Sequence, residues 1–120
     1  MNVVVLSGRV GKKPEVRNTP AGQKAVTFSV ANDRNDKSGN KITDWFNCTA
    51  WGNTADFIEQ YVDKGSAIEV TGSLQTRSWE DNGQKKTIYF ILVDKVNFQM
   101  GNTKVGYGKE EKAEGLPFET

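Results

Sequence analysis

Five stretches of the chain carry the apolar and polar spacing of β-strands, and clusters of Gly, Pro, Asn and Asp separate them. Residues 2–10 form a β-branched run with Gly8 inside it, and a glycine within a strand marks a bulge or a sharp bend. Gly11-Lys12-Lys13-Pro14 and Asn18-Thr19-Pro20-Ala21-Gly22 are turn chemistry, which leaves residues 15–17 as a short edge segment. Residues 25–31 alternate, with Val26, Phe28 and Val30 on one side and Thr27, Ser29 and Ala31 on the other. Residues 33–41 hold no core-forming side chain and predict a polar loop projecting from the body. In residues 42–51, Phe46, Cys48 and Ala50 make the core side, while Trp45, Asn47, Thr49 and Trp51 share the outward side.

A change of period follows. Asn53 or Thr54 is a candidate helix cap, with Asp56 in the first turn and Phe57, Ile58, Tyr61 and Val62 on one apolar stripe. Gly65 is the expected left-handed stop. Two long strands, 67–80 and 85–98, then flank Asp81-Asn82-Gly83-Gln84, an Asn-Gly hairpin turn. From Gly101 onward no pattern remains, and the Gly, Lys and Glu content predicts a disordered tail. The fold class expected is therefore all-β: a five-stranded barrel with one short helix between the third and fourth strands. That is the element order of the oligonucleotide/oligosaccharide-binding (OB) fold. A generic small β-sandwich is the alternative, but it leaves the helix without a task. The domain spans residues 1–100 and the tail 101–120.

Composition narrows the function. Cys48 is the only cysteine and there is no histidine, so an intrachain disulfide is impossible and a transition-metal site disfavoured. No apolar run is long enough to span a bilayer and no signal-like leader opens the chain, which predicts a cytoplasmic protein. Catalysis by a serine or cysteine lacks its commonest base, Glu80-Asp81 is read as a solvated turn, and the glycines form no phosphate loop. An enzyme is not expected, nor a cofactor or metal. Net charge is +1, yet residues 1–108 hold 14 basic and 11 acidic side chains, whereas residues 109–120 hold 2 and 4. A slightly basic body carries an acidic end, an asymmetry that is also compatible with ordinary solubility charge.

The three tryptophans, Trp45, Trp51 and Trp79, all lie within residues 42–79. Trp51 fits equally well as a core ring under the helix. Trp45 and Trp79 stand on polar strands, and Trp79 follows Arg77 and Ser78 at the edge of a hairpin. Exposed rings beside cations are the chemistry of base stacking with phosphate pairing. Arg9, Arg17, Arg34, Lys64 and Arg77 are the candidate phosphate partners, with Lys12, Lys13, Lys85 and Lys86 at turns where a lysine is more often simply solvated. The hairpin carrying Lys85 and Lys86 reads either as a flexible nucleic-acid arm or as an oligomer contact. The predicted partner is single-stranded nucleic acid.

The segments Leu6-Ser7-Gly8-Arg9-Val10, Pro14-Glu15-Val16-Arg17-Asn18-Thr19-Pro20-Ala21-Gly22, Val26-Thr27-Phe28-Ser29-Val30-Ala31, Asp44-Trp45-Phe46, Lys64-Gly65 and Gly72-Ser73-Leu74-Gln75-Thr76-Arg77-Ser78-Trp79 closely resemble the bacterial single-stranded DNA-binding proteins. The resemblance covers about the first hundred residues and rests on their combination. It implies an OB barrel that dimerises by strand pairing, assembles into a homotetramer, and wraps single-stranded DNA in replication, recombination and repair. By position it makes Trp45, Trp51 and Trp79 the stacking residues and sets Arg17, Lys64 and Arg77 on the binding surface. Two departures stand out. Asn35 follows Arg34 where the family commonly has a further aromatic. The tail ends Leu116-Pro117-Phe118-Glu119-Thr120, so the Leu-Pro-Phe tip that would dock replication and repair proteins is weakly acidic and not terminal. Such a tail is read equally as a docking remnant or as an inert end, and it suits a phage- or plasmid-encoded member. The competing classes are a primosome-type interaction module, a cold-shock-like RNA-binding barrel, which would prefer several phenylalanines on early strands, and an OB-type nuclease, for which clustered carboxylates are missing.

Overall fold

The computed structural model describes residues 1–99; the expected tail and its Leu116-Pro117-Phe118 tip lie outside the described residues. Six strands and one helix follow the order β1 (Val4–Val10), β2 (Glu15–Asn18), β3 (Lys24–Asn35), β4 (Lys41–Trp51), α1 (Gly52–Tyr61), β5 (Ala67–Asp81) and β6 (Gln84–Phe98). The sheet runs β1-β5-β6-β4-β3-β2, and β1 also pairs with β3, which closes five strands into a ring with β2 added outside β3. All pairings are antiparallel except β4 with β6, where Cys48 stands beside Ile91 and Thr49 beside Leu92. This is the OB barrel that the element order predicts, and the edge segment is its extra strand.

Closure depends on β1 serving two neighbours. Residues Val4 to Arg9 pair with Gly72 to Ala67, while Arg9 and Val10 also pair with Ala31 and Val30. At Gly8, β3 comes close enough that a Cβ would overlap the Ala31 carbonyl oxygen and lie 2.8 Å from Val30 Cγ1. The ladder passes Gly8 without a register shift. The irregularity falls instead between Thr71 and Gly72, where a Cβ on Gly72 would overlap the Leu92 carbonyl oxygen.

Inside the ring, alternation delivers one side chain in two to a single core. Val26, Phe28 and Val30 of β3, Cys48 and Ala50 of β4, Ile68 and Val70 of β5, and Ile91, Val93 and Val96 of β6 all meet there, and Ile58 and Val62 close it from the helix side. The expected core side of β4 is right for Cys48 and Ala50. Phe46, on the same side by alternation, stays 38% exposed.

Helix α1 differs from expectation at both ends. Trp51 occupies the N-cap position and makes no side-chain cap bond, because β4 runs straight into the helix through Gly52 at φ +62°. Thr54 is not a cap; its hydroxyl donates to the Asp94 carbonyl at 3.3 Å and ties the helix to β6. Asp56 lies beyond the first turn and pairs with Lys24 of β3 at 2.9 Å. Val62 is the C-cap, so Gly65, although left-handed at φ +86°, belongs to the following turn and donates its N–H to the Val10 carbonyl. Ile58 and Val62 of the expected stripe are buried, but Tyr61 is exposed against Phe57, centroids 5.1 Å apart.

The polar loop is shorter than predicted. Strands β3 and β4 stay paired out to Asn35 and Lys41, held by cross-strand bonds from Thr43 and Lys41 to Asp33 and from Arg34 to Asp44. Only residues 36–40 turn, with Asp36 Oδ1 accepting from the Ser38 and Asn40 N–H groups and Gly39 at φ +86°. Polar residues thus continue a strand where their charges pair across it. The second hairpin forms as expected, with Asn82 and Gly83 both at positive φ.

Two outcomes follow from this packing. Gly72→Ala should destabilise the protein by about 3 kcal/mol, since the new methyl meets backbone rather than a side chain that can swing away; the midpoint of urea unfolding reads this. Burial pushes the Cys48 thiol from its ordinary 9.0 up to about 12. The folded thiol then keeps a proton that the unfolded one releases, so its contribution to stability is full below pH 9.0 and is lost as pH rises toward about 12. Native protein should resist thiol alkylation at pH 8 and react once unfolded, and Cys48→Ala should flatten the loss of stability above pH 9.0.

Candidate nucleic-acid interface

The register of the sheet decides which side chains share a surface. On β4, Trp45, Asn47, Thr49 and Trp51 point away from the core that Cys48 and Ala50 enter. Thr49 stands beside Leu92 and Leu92 opposite Ser73, so the outward set continues through Phe90, Ile88 and Lys86 of β6 to Gln75, Arg77 and Trp79 of β5. All three tryptophans therefore belong to one outer side of β4, β6 and β5. Trp45 is 59% exposed, Trp51 44% and Trp79 41%. Trp51 is not the core ring that its place before the helix also allowed. It starts the helix from outside the barrel, as the outward alternation of β4 requires.

Two cations are set at a repeated distance from the rings of β4. Arg9 pairs with Ala31, and Ala31 with Trp45. Arg17 pairs with Ala25, and Ala25 with Trp51. Each row runs arginine, alanine, tryptophan across three adjacent strands, which spaces the backbones of cation and ring by about 10 Å, with a small residue as the floor. Arg9 is exposed and donates from Nη1 to the Gly65 carbonyl at 2.9 Å. The same turn is bonded to β1 through Gly65 N–H to Val10 O and Val10 N–H to Ser66 O, and so brings Lys64 beside Arg9.

At Trp79 the arrangement is closer. The Arg77 guanidinium carbon lies 5.7 Å from the ring centroid, a cation–π contact, and Lys86 is directly opposite across the hairpin. Lys86 is partnered by Asp81 at 3.2 Å.

Arg34 is placed differently. By alternation from Ala31, it falls on the opposite side of its hairpin from Trp45, and its Nε donates to Asp44 Oδ2 at 2.7 Å. This bond holds the guanidinium pKa above its ordinary value, and Thr43 and Lys41 hold the Asp33 carboxyl below its own. A strand that ended at Ala31 would have left Arg34 free to turn either way; the longer β3 commits it.

The sequence reading missed Gly11, assigned only to a turn. A Cβ there would overlap Trp45 Cζ3 and lie 2.9 Å from Cη2. It also missed Ala25 and Ala31 as the floors between cation and ring. No local signal marks these three, because each acquires its place from a partner far along the chain.

A closed barrel with open rings and spaced cations on one side defines an OB-fold protein built to receive an oligonucleotide. The model of the Single-strand binding protein family matches residues 1–99, and the chain belongs to that family. It is 38% identical over 122 residues to the "Single-stranded DNA-binding protein" of Fusobacterium nucleatum, covering 92% of this chain and 79% of that one. It is 45% identical over 92 residues to "Single-stranded DNA-binding protein 1" of Chlorobaculum tepidum, covering 72% of this chain and 57% of that one. Among solved structures, "Plasmodium falciparum SSB complex with ssDNA" superposes with a TM-score of 0.76 at 34% identity, over 82% of this chain and 95% of that one.

Proposed function

We propose that this protein binds and coats single-stranded DNA without strong sequence preference, in replication, recombination and repair, and that it works by binding rather than by catalysis. The observation that carries the reading is the single outer side on which Trp45, Trp51 and Trp79 are exposed, with Arg9 and Arg17 in the strand rows of the two β4 rings and Arg77 against Trp79. A ring open to solvent can stack on any base that has left its own stack, and every base offers such a face. Duplex bases do not, so the surface selects single strands. Arg9, Arg17, Lys64 and Arg77 take phosphates, and binding weakens as salt rises because each contact releases condensed counterions. Arg34 joins them only by exchanging Asp44 for a phosphate.

Assembly into a homotetramer of dimers fits the open edge of β1. Among the described residues, Val4 to Gly8 pair with β5 only, and Val3 and Val5 are exposed there. Residues 116–118 are the segment proposed to dock replication and repair proteins. Among the described residues no helix is long and apolar enough to cross a membrane, and the proposed location is the cytoplasm, with the nucleoid.

Titration of intrinsic fluorescence with oligo(dT) tests the reading. Quenching by the single strand, weaker at high salt and absent with duplex, is expected; no quenching at low salt would leave a protein-interaction barrel as the better account. Trp79→Ala should weaken binding about tenfold, within the ~1–3 kcal/mol that one stacked base contributes. Asp44→Asn should tighten oligo(dT) binding a few-fold at low salt and steepen the salt dependence by up to about one counterion. Both gains should vanish when Arg34→Gln is present as well.

A further inference from the structure

We propose that Gly11 is the positioning residue for the Trp45 ring: the space left by its missing side chain is where the benzo end of the indole lies. Three atoms of the ring surround the direction a Cβ would take, Cζ3 in overlap, Cη2 at 2.9 Å and Cε3 at 3.4 Å. All three nearest atoms belong to that one ring. Gly11 is itself anchored, since its N–H donates to the Ser29 carbonyl at 3.1 Å, one residue beyond the pairing of Val10 with Val30. Ser29 pairs with Asn47, two residues along the same side of β4 from Trp45. The seat and the ring are thus held by the same three strands, β1, β3 and β4.

This matters because Trp45 is the most exposed of the three indoles and, among the described residues, no cation lies over it. An open ring on a strand can choose among rotamers, and the freedom lost on stacking a base subtracts from affinity. Resting the ring on bare backbone restricts that choice before any base arrives. The glycine is not retained for its own conformation. It is absent from the positive-φ glycines, which are Gly22, Gly39, Gly52, Gly65 and Gly83, so an alanine meets no backbone barrier. The obstacle to a side chain at position 11 is the far end of the indole, which must move aside.

The inference rests on Trp45 being a stacking ring, and a double-mutant cycle separates the two claims. Gly11→Ala, Trp45→Ala and the double variant are titrated against a labelled oligo(dT) by anisotropy, which does not depend on tryptophan emission. Gly11→Ala should weaken binding about 3- to 10-fold in the native background, part of what a stacked ring supplies, and have no effect when Trp45→Ala is present. Native affinity in Gly11→Ala, beside a weakened Trp45→Ala, would overturn the role of Gly11 and leave the stacking reading intact. An equal loss in both backgrounds would also overturn it, since the glycine would then act through the barrel. Native affinity in Trp45→Ala would instead fail the stacking role of Trp45 itself. Should Gly11→Ala fold poorly, the double variant should regain native stability; if it does not, the ring is not what the new methyl meets.

Discussion

The sharing of β1 between β3 and β5 is the constraint on which the rest of the molecule depends. A strand offers a hydrogen-bonding edge on each side, but the second neighbour of β1 is β3, four places further along the same sheet, so the pairing forms only if the sheet curls into a ring. Bare backbone at Gly8 lets β3 come near, and bare backbone on β5 at Gly72 lets β6 come equally near. With the ring closed, each strand has one side in the core and one outside, and the outward sides of β4, β6 and β5 become neighbours. An open sheet of the same strands would still expose the rings, but the β1 cation Arg9 would not be held opposite Ala31 in the row of Trp45.

Charge on this protein is sorted by pairing rather than by amount. Net charge is only +1. Lys24 is tied to Asp56 and Glu59, Lys41 to Asp33, Arg34 to Asp44 and Lys86 to Asp81, all in exposed pairs of the kind that add little stability. Their effect is on availability. Paired cations present little field to a phosphate, whereas among the described residues Arg9, with one backbone bond, and Arg77, against Trp79, form no ion pair. A nearly neutral protein can in this way keep a cationic surface over a limited area.

Much of this was readable in the chain. The alternation of residues 42–51 separates Cys48 and Ala50 from Trp45 and Trp51 without reference to any other strand, because a strand turns successive side chains to opposite faces whatever it pairs with. Asn82-Gly83 specifies its hairpin for a similarly local reason, as both residues tolerate positive φ. Helix capping was misread because the competing partner of Thr54, the Asp94 carbonyl, lies 40 residues away. The length of β3 was misread because its last residues are held by charges on β4, and polarity by itself looks like a loop.

What the chain determined by itself is therefore the set of elements, the inner and outer side of each strand, and the stock of rings and cations available to the outer one. These follow from backbone geometry with a period of two and from side-chain chemistry, both properties of short segments. The Arg77 contact with Trp79 is local to one strand, but the tertiary structure alone decided the rest: Arg9 and Arg17 each one alanine from a tryptophan in a strand row, Arg34 turned away to Asp44, and Trp45 resting on Gly11. Such pairings are set by register and closure between strands tens of residues apart, and no local pattern encodes a register.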